Sequence, residues 1–122
     1  MTKKILIADD DLFIRDLYET ICTEAGFEVT TAKDGEEGYE KIKSNSFHLI
    51  ILDIMMPRLD GLGLLSRIKE ELSHIETPVV VLTNLAHESV IEEAIARGAV
   101  ACLIKSDLTP DKLVRAIQAF SK

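Results

Sequence analysis

Four short stretches of the chain, residues 4–8, 47–53, 78–83 and 100–104, are almost continuously apolar. Apolar runs of this length, bounded by residues that break regular structure, are typical of strands buried on both faces of a sheet. A fifth stretch, residues 27–32, alternates more between apolar and polar positions, which favours a strand at the edge of the sheet. The pattern therefore predicts five strands.

After the first strand, the apolar residues recur at helical spacing. From about residue 12 they fall at i, i+3, i+4, i+7, i+8 and i+11, which places them on one face of a helix. Asp11 is positioned to cap this helix at its start, and Gly26 is positioned to end it. The residues of the predicted inner face are Ile14, Leu17, Tyr18, Ile21, Cys22 and Ala25.

Four further helices are predicted, one after each of the other strands. The second begins at Asp34, which forms a capping-box pattern with Glu37. The third follows Gly61, the fourth is closed by Gly98, and the fifth opens at Pro110. Their inward residues are Tyr39 and Ile42 in the second, Leu65, Ile68 and Leu72 in the third, Val90, Ile91, Ala94 and Ile95 in the fourth, and Leu113, Val114, Ile117 and Phe120 in the fifth.

This alternation predicts an α/β fold, a doubly wound, flavodoxin-like sheet of five parallel strands with helices on both faces. The common strand order of such a sheet is 2-1-3-4-5, and ligands then bind outside the carboxyl ends of the strands, between strands 1 and 3. With 122 residues, we expect one domain over residues 1–122.

Charge and composition exclude several classes of function. The net charge of −7, from 21 acidic and 14 basic residues, argues against a nucleic-acid-binding or membrane-binding surface. The chain shows no apolar run of membrane-spanning length and no signal peptide, so we expect a cytoplasmic protein. Cys22 and Cys102 lie within apolar patterns, as buried reduced thiols do.

Polar side chains follow four of the predicted strands at the point where each strand ends. Asp9 and Asp10 follow the first, Asp53 the third, Thr83 the fourth and Lys105 the fifth. Taken singly, each has an ordinary explanation as a helix cap, a strand filler or a solvated charge. Because the strand ends share one edge, we expect a common crevice in which oxygen ligands suit Mg²⁺, with Mn²⁺ as an alternative. Lys105 would supply further positive charge.

Four segments at these strand ends carry a family resemblance: residues 5–11 (ILIADDD), 52–61 (LDIMMPRLDG), 81–83 (VLT) and 103–105 (LIK). Through these segments the chain resembles, over its whole length, the receiver domain of two-component response regulators. The resemblance implies a phosphorelay switch that catalyses only its own phosphoryl transfer and dephosphorylation. It also implies a histidine kinase or phosphotransfer protein as donor, and a downstream protein target. The implied output face is formed by the fourth helix, fifth strand and fifth helix, on a monomer or weak dimer.

The resemblance also assigns roles to single residues. Asp53 matches the phosphoacceptor, Thr83 the hydroxyl that binds a phosphoryl oxygen, and Lys105 the lysine that pairs with the phosphoryl group. The metal ligands that it implies, besides Asp53, are Asp10 directly, Asp9 through water, and the backbone carbonyl of Met55.

Two departures from the family lie on the fifth strand and just beyond it. The family normally has proline after the lysine, often with a cis bond, whereas this chain has Ser106. A cis bond before a residue other than proline costs about 3 kcal/mol, so we predict that the Lys105–Ser106 bond is trans and that the following loop runs differently. Cys102 replaces an aromatic residue that usually moves with the threonine, so coupling from Thr83 to the output face must run otherwise or be weak.

A third departure concerns the rim of the site. Asn84 follows Thr83 where the family usually has a smaller residue, and Met55 and Leu85 are apolar at positions that often influence hydrolysis. We hypothesise that water access is restricted and that phosphate is lost slowly.

Three other functions are alternatives to a phosphorelay switch. A phosphatase of the haloacid dehalogenase type needs a second Asp two residues after the first, where this chain has Met55. A nucleotide binder needs a glycine-rich or hydroxyl-rich loop after the first strand, where this chain has three aspartates, residues 9–11. A receiver fold that binds proteins without phosphate stays open: Ser106 and Cys102 favour it, while the complete set of polar residues argues against it.

Overall fold

The computed structural model describes residues 2–84 and 87–121. The elements of this part of the chain alternate from strand to helix as predicted. They are β1 (Lys4–Ala8), α1 (Leu12–Glu24), β2 (Glu28–Ala32), α2 (Gly35–Ser44), β3 (Leu49–Asp53), α3 (Gly61–Glu71), β4 (Val79–Thr83), α4 (Glu88–Ala96), β5 (Ala101–Ile104) and α5 (Pro110–Phe120), with a 3₁₀ helix at Lys105–Asp107 before α5.

All strand pairs are parallel, and the strand order is β2-β1-β3-β4-β5. This confirms the predicted flavodoxin-like sheet and places β1 beside β3. In the register, Asp53 is opposite Leu82, and Thr83 is opposite Ile104. The last residues of the central strands therefore lie at one edge of the sheet.

Successive residues of the central strands pack on opposite faces of the sheet, which explains why the strands are continuously apolar. One face is covered by α2, α3 and α4 and the other by α1 and α5. The first core contains Leu6, Ala8, Ile50, Leu52, Val79 and Val81, together with Tyr39, Ile42, Leu64, Leu65, Ile68 and Ala94 from the helices. The second contains Ile5, Ile7, Leu49, Ile51, Val80 and Leu82, together with Tyr18, Cys22, Leu113 and Ile117.

The buried faces of two helices are narrower than predicted. Leu17 is 43% exposed on α1, where Tyr18 and Cys22 are the buried positions, and Ala25, which follows the last residue of the helix, is exposed as well. On α4, Ile95 is 46% exposed and only Ala94 is fully buried. Both helices cover an outer part of the sheet, so each has fewer neighbours on its flanks than helical spacing alone suggests.

The predicted helix caps are present. Asp11 accepts hydrogen bonds from two backbone amides in the first turn of α1, and Asp34 accepts one from Glu37 N. The Glu37 carboxylate accepts from Lys33 N, one residue before the amide that a capping box would use. Gly26 follows α1 with φ +98°, a left-handed conformation that favours glycine.

Cys22 and Cys102 are free thiols, and Cys22 is buried as predicted. Cys102 is only half-buried, because β5 is an edge strand of the sheet. Within the described ranges, no helix is long and apolar enough to cross a membrane.

Candidate functional site

One lysine joins the ends of three strands at the carboxyl edge of the sheet. Lys105 Nζ lies 2.7 Å from Asp9 Oδ2 and 3.0 Å from Asp53 Oδ2. The side chains of Asp9 and Asp53 are 1% and 7% exposed, and that of Lys105 is 14% exposed. Buried charges need paired neighbours, and here Lys105 supplies the counter-charge for both carboxylates. Three of the predicted site residues are therefore in direct contact.

The protonation of this cluster reflects both burial and pairing. Burial raises the pKa of Asp53, the bond from Lys105 opposes that rise, and the Asp9 carboxylate adds to it, so that the net direction is upward. Burial lowers the pKa of Lys105, but its close contacts with the Asp9 and Asp53 carboxylates outweigh burial, so that its pKa is raised. Lys105 is therefore held in its charged form.

The acidic residues of the site form a set that fits a hard divalent cation. Asp9, Asp10 and Asp53 each offer a carboxylate oxygen, and these oxygens lie within 4.8 Å of one another. Apart from its ion pair with Lys105, the buried Asp9 Oδ2 has no hydrogen-bond partner among the described residues. A set of donors made up of oxygen atoms suits Mg²⁺ or Mn²⁺. Met55 and Asp10 line one cleft of about 410 Å³ beside this cluster.

The loop between β3 and α3 is folded back over Asp53. Met55 N donates to Asp53 Oδ1 at 3.3 Å, and Gly61 N donates to Ile54 O at 2.9 Å. A Cβ on Gly61 would lie 2.4 Å from the Asp53 carbonyl oxygen, so a side chain there would displace one or the other. Arg58 takes the left-handed φ of +69° that lets this loop turn.

Arg15 of α1 supports the site and was not predicted to do so. Arg15 Nη1 donates to the Asp9 carbonyl oxygen at 2.8 Å, one turn into the helix. Tyr18, which was predicted for the inner face of α1, is buried in the core; burial raises its pKa, while the charge of Lys105 opposes the rise. Both lie on the sheet-facing side of α1, and an arginine one turn after an acidic strand end is the signal that could have identified the first.

The remaining predicted residues lie at the same edge. Thr83 is fully buried at the end of β4, opposite the residue that precedes Lys105. The described residues contain no cis peptide bond, so the Lys105–Ser106 bond is trans, as predicted. Ser106 N donates to Asn84 Oδ1 at 3.0 Å. Leu85, which the hydrolysis hypothesis invokes, lies outside the described residues.

A family model described as the response regulator receiver domain matches residues 5–118. The chain belongs to this family. Curated relatives of this receiver domain include the gliding motility regulatory protein of Myxococcus xanthus, 34% identical over 114 residues, which are 93% of this chain and 15% of the relative. The transcriptional regulatory protein SrrA of Staphylococcus aureus is 32% identical over 119 residues, which are 98% of this chain and 48% of the relative. The receiver domain thus spans half or less of the length of these two relatives.

Solved structures support the same assignment. The receiver domain is similar to that of the Francisella response regulator 1452, with a TM-score of 0.90 and 32% identity over 98% of this chain and 97% of the other. It is similar to the Vibrio cholerae chemotaxis protein CheY4, with a TM-score of 0.90 and 30% identity over 98% and 99%. Receiver domains are signalling modules of response regulators, so the chain is a signalling domain.

Proposed function

We propose that this receiver domain is a phosphorelay switch. Its Asp53 would accept a phosphoryl group from a histidine kinase or phosphotransfer protein in a Mg²⁺-dependent reaction. The observation that carries this proposal is the buried contact of Lys105 with both Asp9 and Asp53. It favours the switch over a receiver fold that acts without phosphate, because a domain that only binds other proteins does not require a buried cluster of two carboxylates and a lysine.

Asp53 is the nucleophile of the proposed reaction. A carboxylate oxygen attacks the phosphorus atom, the bond from phosphorus to the donor's imidazole nitrogen breaks, and an acyl phosphate forms. The chain orients this carboxylate from two sides, since Met55 N donates to Oδ1 and Lys105 Nζ contacts Oδ2. Fixing the nucleophile in this way lowers the entropic cost of reaching the reactive geometry.

The acidic set would hold the metal ion. Asp10 and Asp53 are the proposed direct ligands, with Asp9 acting through water and the Met55 carbonyl as a further ligand. When bound, Mg²⁺ would offset the carboxylate charge that repels the incoming phosphoryl group. The chain keeps Asp9 in place without the ion, because Asp11 N donates to its carboxylate and Arg15 donates to its carbonyl oxygen.

Lys105 and Thr83 would bind the phosphoryl group once it is on Asp53. Transfer places a charge of about −2 on Asp53. Lys105 is already within reach to pair with it, and the Thr83 hydroxyl is proposed to bind a second phosphoryl oxygen. These contacts would favour an active conformation, in which the face formed by α4, β5 and α5 binds a downstream protein. The domain would act on itself, in the cytoplasm, as a monomer or weak dimer.

Labelling with acetyl phosphate, a small-molecule donor, tests the proposal. The wild-type domain should gain one phosphoryl group per chain with Mg²⁺ and none with a chelator, as read by intact mass. Asp53→Asn should gain none, while Asp16→Asn, which removes an exposed carboxylate of α1, should behave as wild type. Equal labelling of wild type and Asp53→Asn would contradict the assignment. A wild type that takes no label would favour the phosphate-independent interaction module.

A further inference from the structure

One hydrogen bond joins the two loops that leave β4 and β5. Ser106 N donates to the side-chain oxygen of Asn84, with an N···O distance of 3.0 Å. Asn84 comes directly after Thr83, and Ser106 directly after Lys105. The bond therefore connects the immediate neighbours of two residues to which the proposed reaction assigns a role.

The position of this bond follows from how the sheet ends. The ladder between β4 and β5 stops at the pair Thr83 and Ile104, and the chain then turns into the 3₁₀ helix at Lys105–Asp107. Backbone amides in the first turn of a helix have no acceptor within the helix. The Asn84 carboxamide supplies an acceptor to Ser106, so the connection between the strands continues beyond the ladder.

We propose that Asn84 is a positioning residue for Lys105, an inference that rests on the proposed function. The Lys105 ammonium is held by Asp9 and Asp53, whereas the peptide bond that follows Lys105 is held by Asn84. A lysine side chain has a long flexible stem, so the ammonium is well placed only if the backbone is fixed as well. Without Asn84, the 3₁₀ turn loses its link to β4, and Lys105 meets the phosphoryl group in a less defined position.

The residue at position 106 decides whether this link can exist. Serine has a backbone N–H to donate, whereas proline has none. Asn84 and Ser106 therefore act as a unit: the effect of replacing Asn84 should depend on an amide at 106 and should not depend on the Ser106 hydroxyl.

Amide hydrogen exchange, measured by NMR on the unphosphorylated domain, tests the contact itself. In Asn84→Ala the Ser106 amide should exchange about tenfold faster, because it loses its acceptor. Asn84→Asp keeps an acceptor oxygen and should restore most of the protection. Asn45→Ala removes another exposed asparagine hydrogen bond, from Asn45 to Lys41 O, and should leave the Ser106 amide unchanged.

The rate of phosphorylation by acetyl phosphate, at fixed Mg²⁺, tests the consequence. Asn84→Ala should lower the rate about three- to tenfold, the range that one ordinary hydrogen bond supports. Ser106→Pro removes the donor and should lower the rate as well, and adding Asn84→Ala to it should have no further effect. Ser106→Ala keeps the N–H and should match wild type. Thermal unfolding confirms that each variant is folded.

Either of two results overturns the inference. One is an unchanged exchange rate of the Ser106 amide in Asn84→Ala, which would mean that the Asn84 side chain does not protect this amide. The other is a loss of rate on Asn84→Ala that is equally large in the Ser106→Pro background, which would mean that Asn84 acts by another route. A wild type that takes no phosphoryl group would remove the proposed function and with it the positioning role, while the exchange measurement would still decide the contact.

Discussion

Gly61 lies directly against the backbone of Asp53, so closely that a Cβ on Gly61 would be 2.4 Å from the Asp53 carbonyl oxygen. Gly61→Ala must therefore shift either α3 or the end of β3. We expect a loss of about 2 kcal/mol in the free energy of unfolding, measured with urea, since overpacking against backbone is relieved only by moving it. Phosphorylation should slow as well, because Asp53 moves.

Gly63→Ala is the matched control for this substitution. It also lies in the first turn of α3, but the nearest neighbours of its added Cβ would be side-chain atoms, the end of the flexible Leu59 side chain at 2.9 Å and Asp60 Oδ1 at 3.2 Å. Side chains can move aside more easily than backbone, so the cost should be below about 1 kcal/mol and the rate should be unchanged. Equal losses for Gly61→Ala and Gly63→Ala would show that the contact with Asp53 is not the cause.

Replacing the charged Lys105 should show how strongly the carboxylates of Asp9 and Asp53 repel each other. In Lys105→Met, Asp9 and Asp53 would remain buried without a counter-charge, and we expect a loss of about 3 kcal/mol at pH 7. Lys69→Met, at an exposed position on α3, should cost less than about 0.5 kcal/mol.

The effect of Lys105→Met should also depend on pH. The pKa of Asp53 is already raised by burial, and loss of the lysine raises it further. A carboxyl with a raised pKa in the folded state favours folding below its unfolded pKa, and this contribution is lost as the pH rises through the folded value. The destabilisation should therefore be smaller at pH 4 than at pH 7, and a difference that is the same at both would contradict the coupling.

Divalent metal should stabilise the domain through the acidic set. A ligand at ten times its Kd adds about 1.4 kcal/mol to the free energy of unfolding, so Mg²⁺ and Mn²⁺ should both raise Tm. Asp10→Asn should lose most of this rise. Glu24→Gln removes one charge from the far end of α1 and should keep it, so equal Mg²⁺ shifts in the two variants would argue against a specific site.

Met55 should slow the loss of the phosphoryl group. Met55 is 61% exposed and lines the cleft beside Asp10, through which we expect an attacking water to enter. Met55→Asn is expected to hydrolyse faster, as followed by the decay of the phosphorylated mass after the donor is removed. Met55→Leu keeps an apolar side chain and serves as control. Little change in Met55→Asn combined with Leu85→Glu would count against the slow-hydrolysis hypothesis.

The two thiols should differ in reactivity, and one of them should affect stability at high pH. Burial raises the pKa of Cys22 to about 12, so a thiol reagent at pH 8 should label Cys102 first. A raised thiol pKa favours the folded state below the unfolded value, and this contribution is lost as the pH rises towards 12. Between pH 9 and 12 the free energy of unfolding should fall less steeply in Cys22→Ala than in wild type, by up to about 1.4 kcal/mol per pH unit.

The fold and the main acidic residues were predictable because they depend on pattern. A continuous apolar run fixes β3, the following breakers fix its end, and the rules for α/β sheets then bring Asp9 and Asp53 to one edge. The widths of the buried helix faces were not predictable in this way. Whether Leu17 or Ile95 is covered depends on which neighbouring helix reaches it, and helical spacing carries no information about that.

The contacts made by particular atoms were beyond the sequence as well. That Lys105 touches Asp9 and Asp53 together, and that Arg15 reaches the Asp9 carbonyl, depends on side-chain rotamers. The bond between Asn84 and Ser106 joins residues 22 positions apart through a side chain and a backbone amide, which no periodicity encodes. Both residues stood out only as departures from the family.

The charge of the Lys105 ammonium also affects which ions the site can bind. The ammonium is an internal monovalent cation that already sits at the two buried carboxylates. With Asp10 the site has three carboxylates and one ammonium, a net charge of −2 when all are ionised, which a divalent ion neutralises and a sodium or potassium ion only halves. We therefore expect the domain to select ions by valence before it selects them by radius.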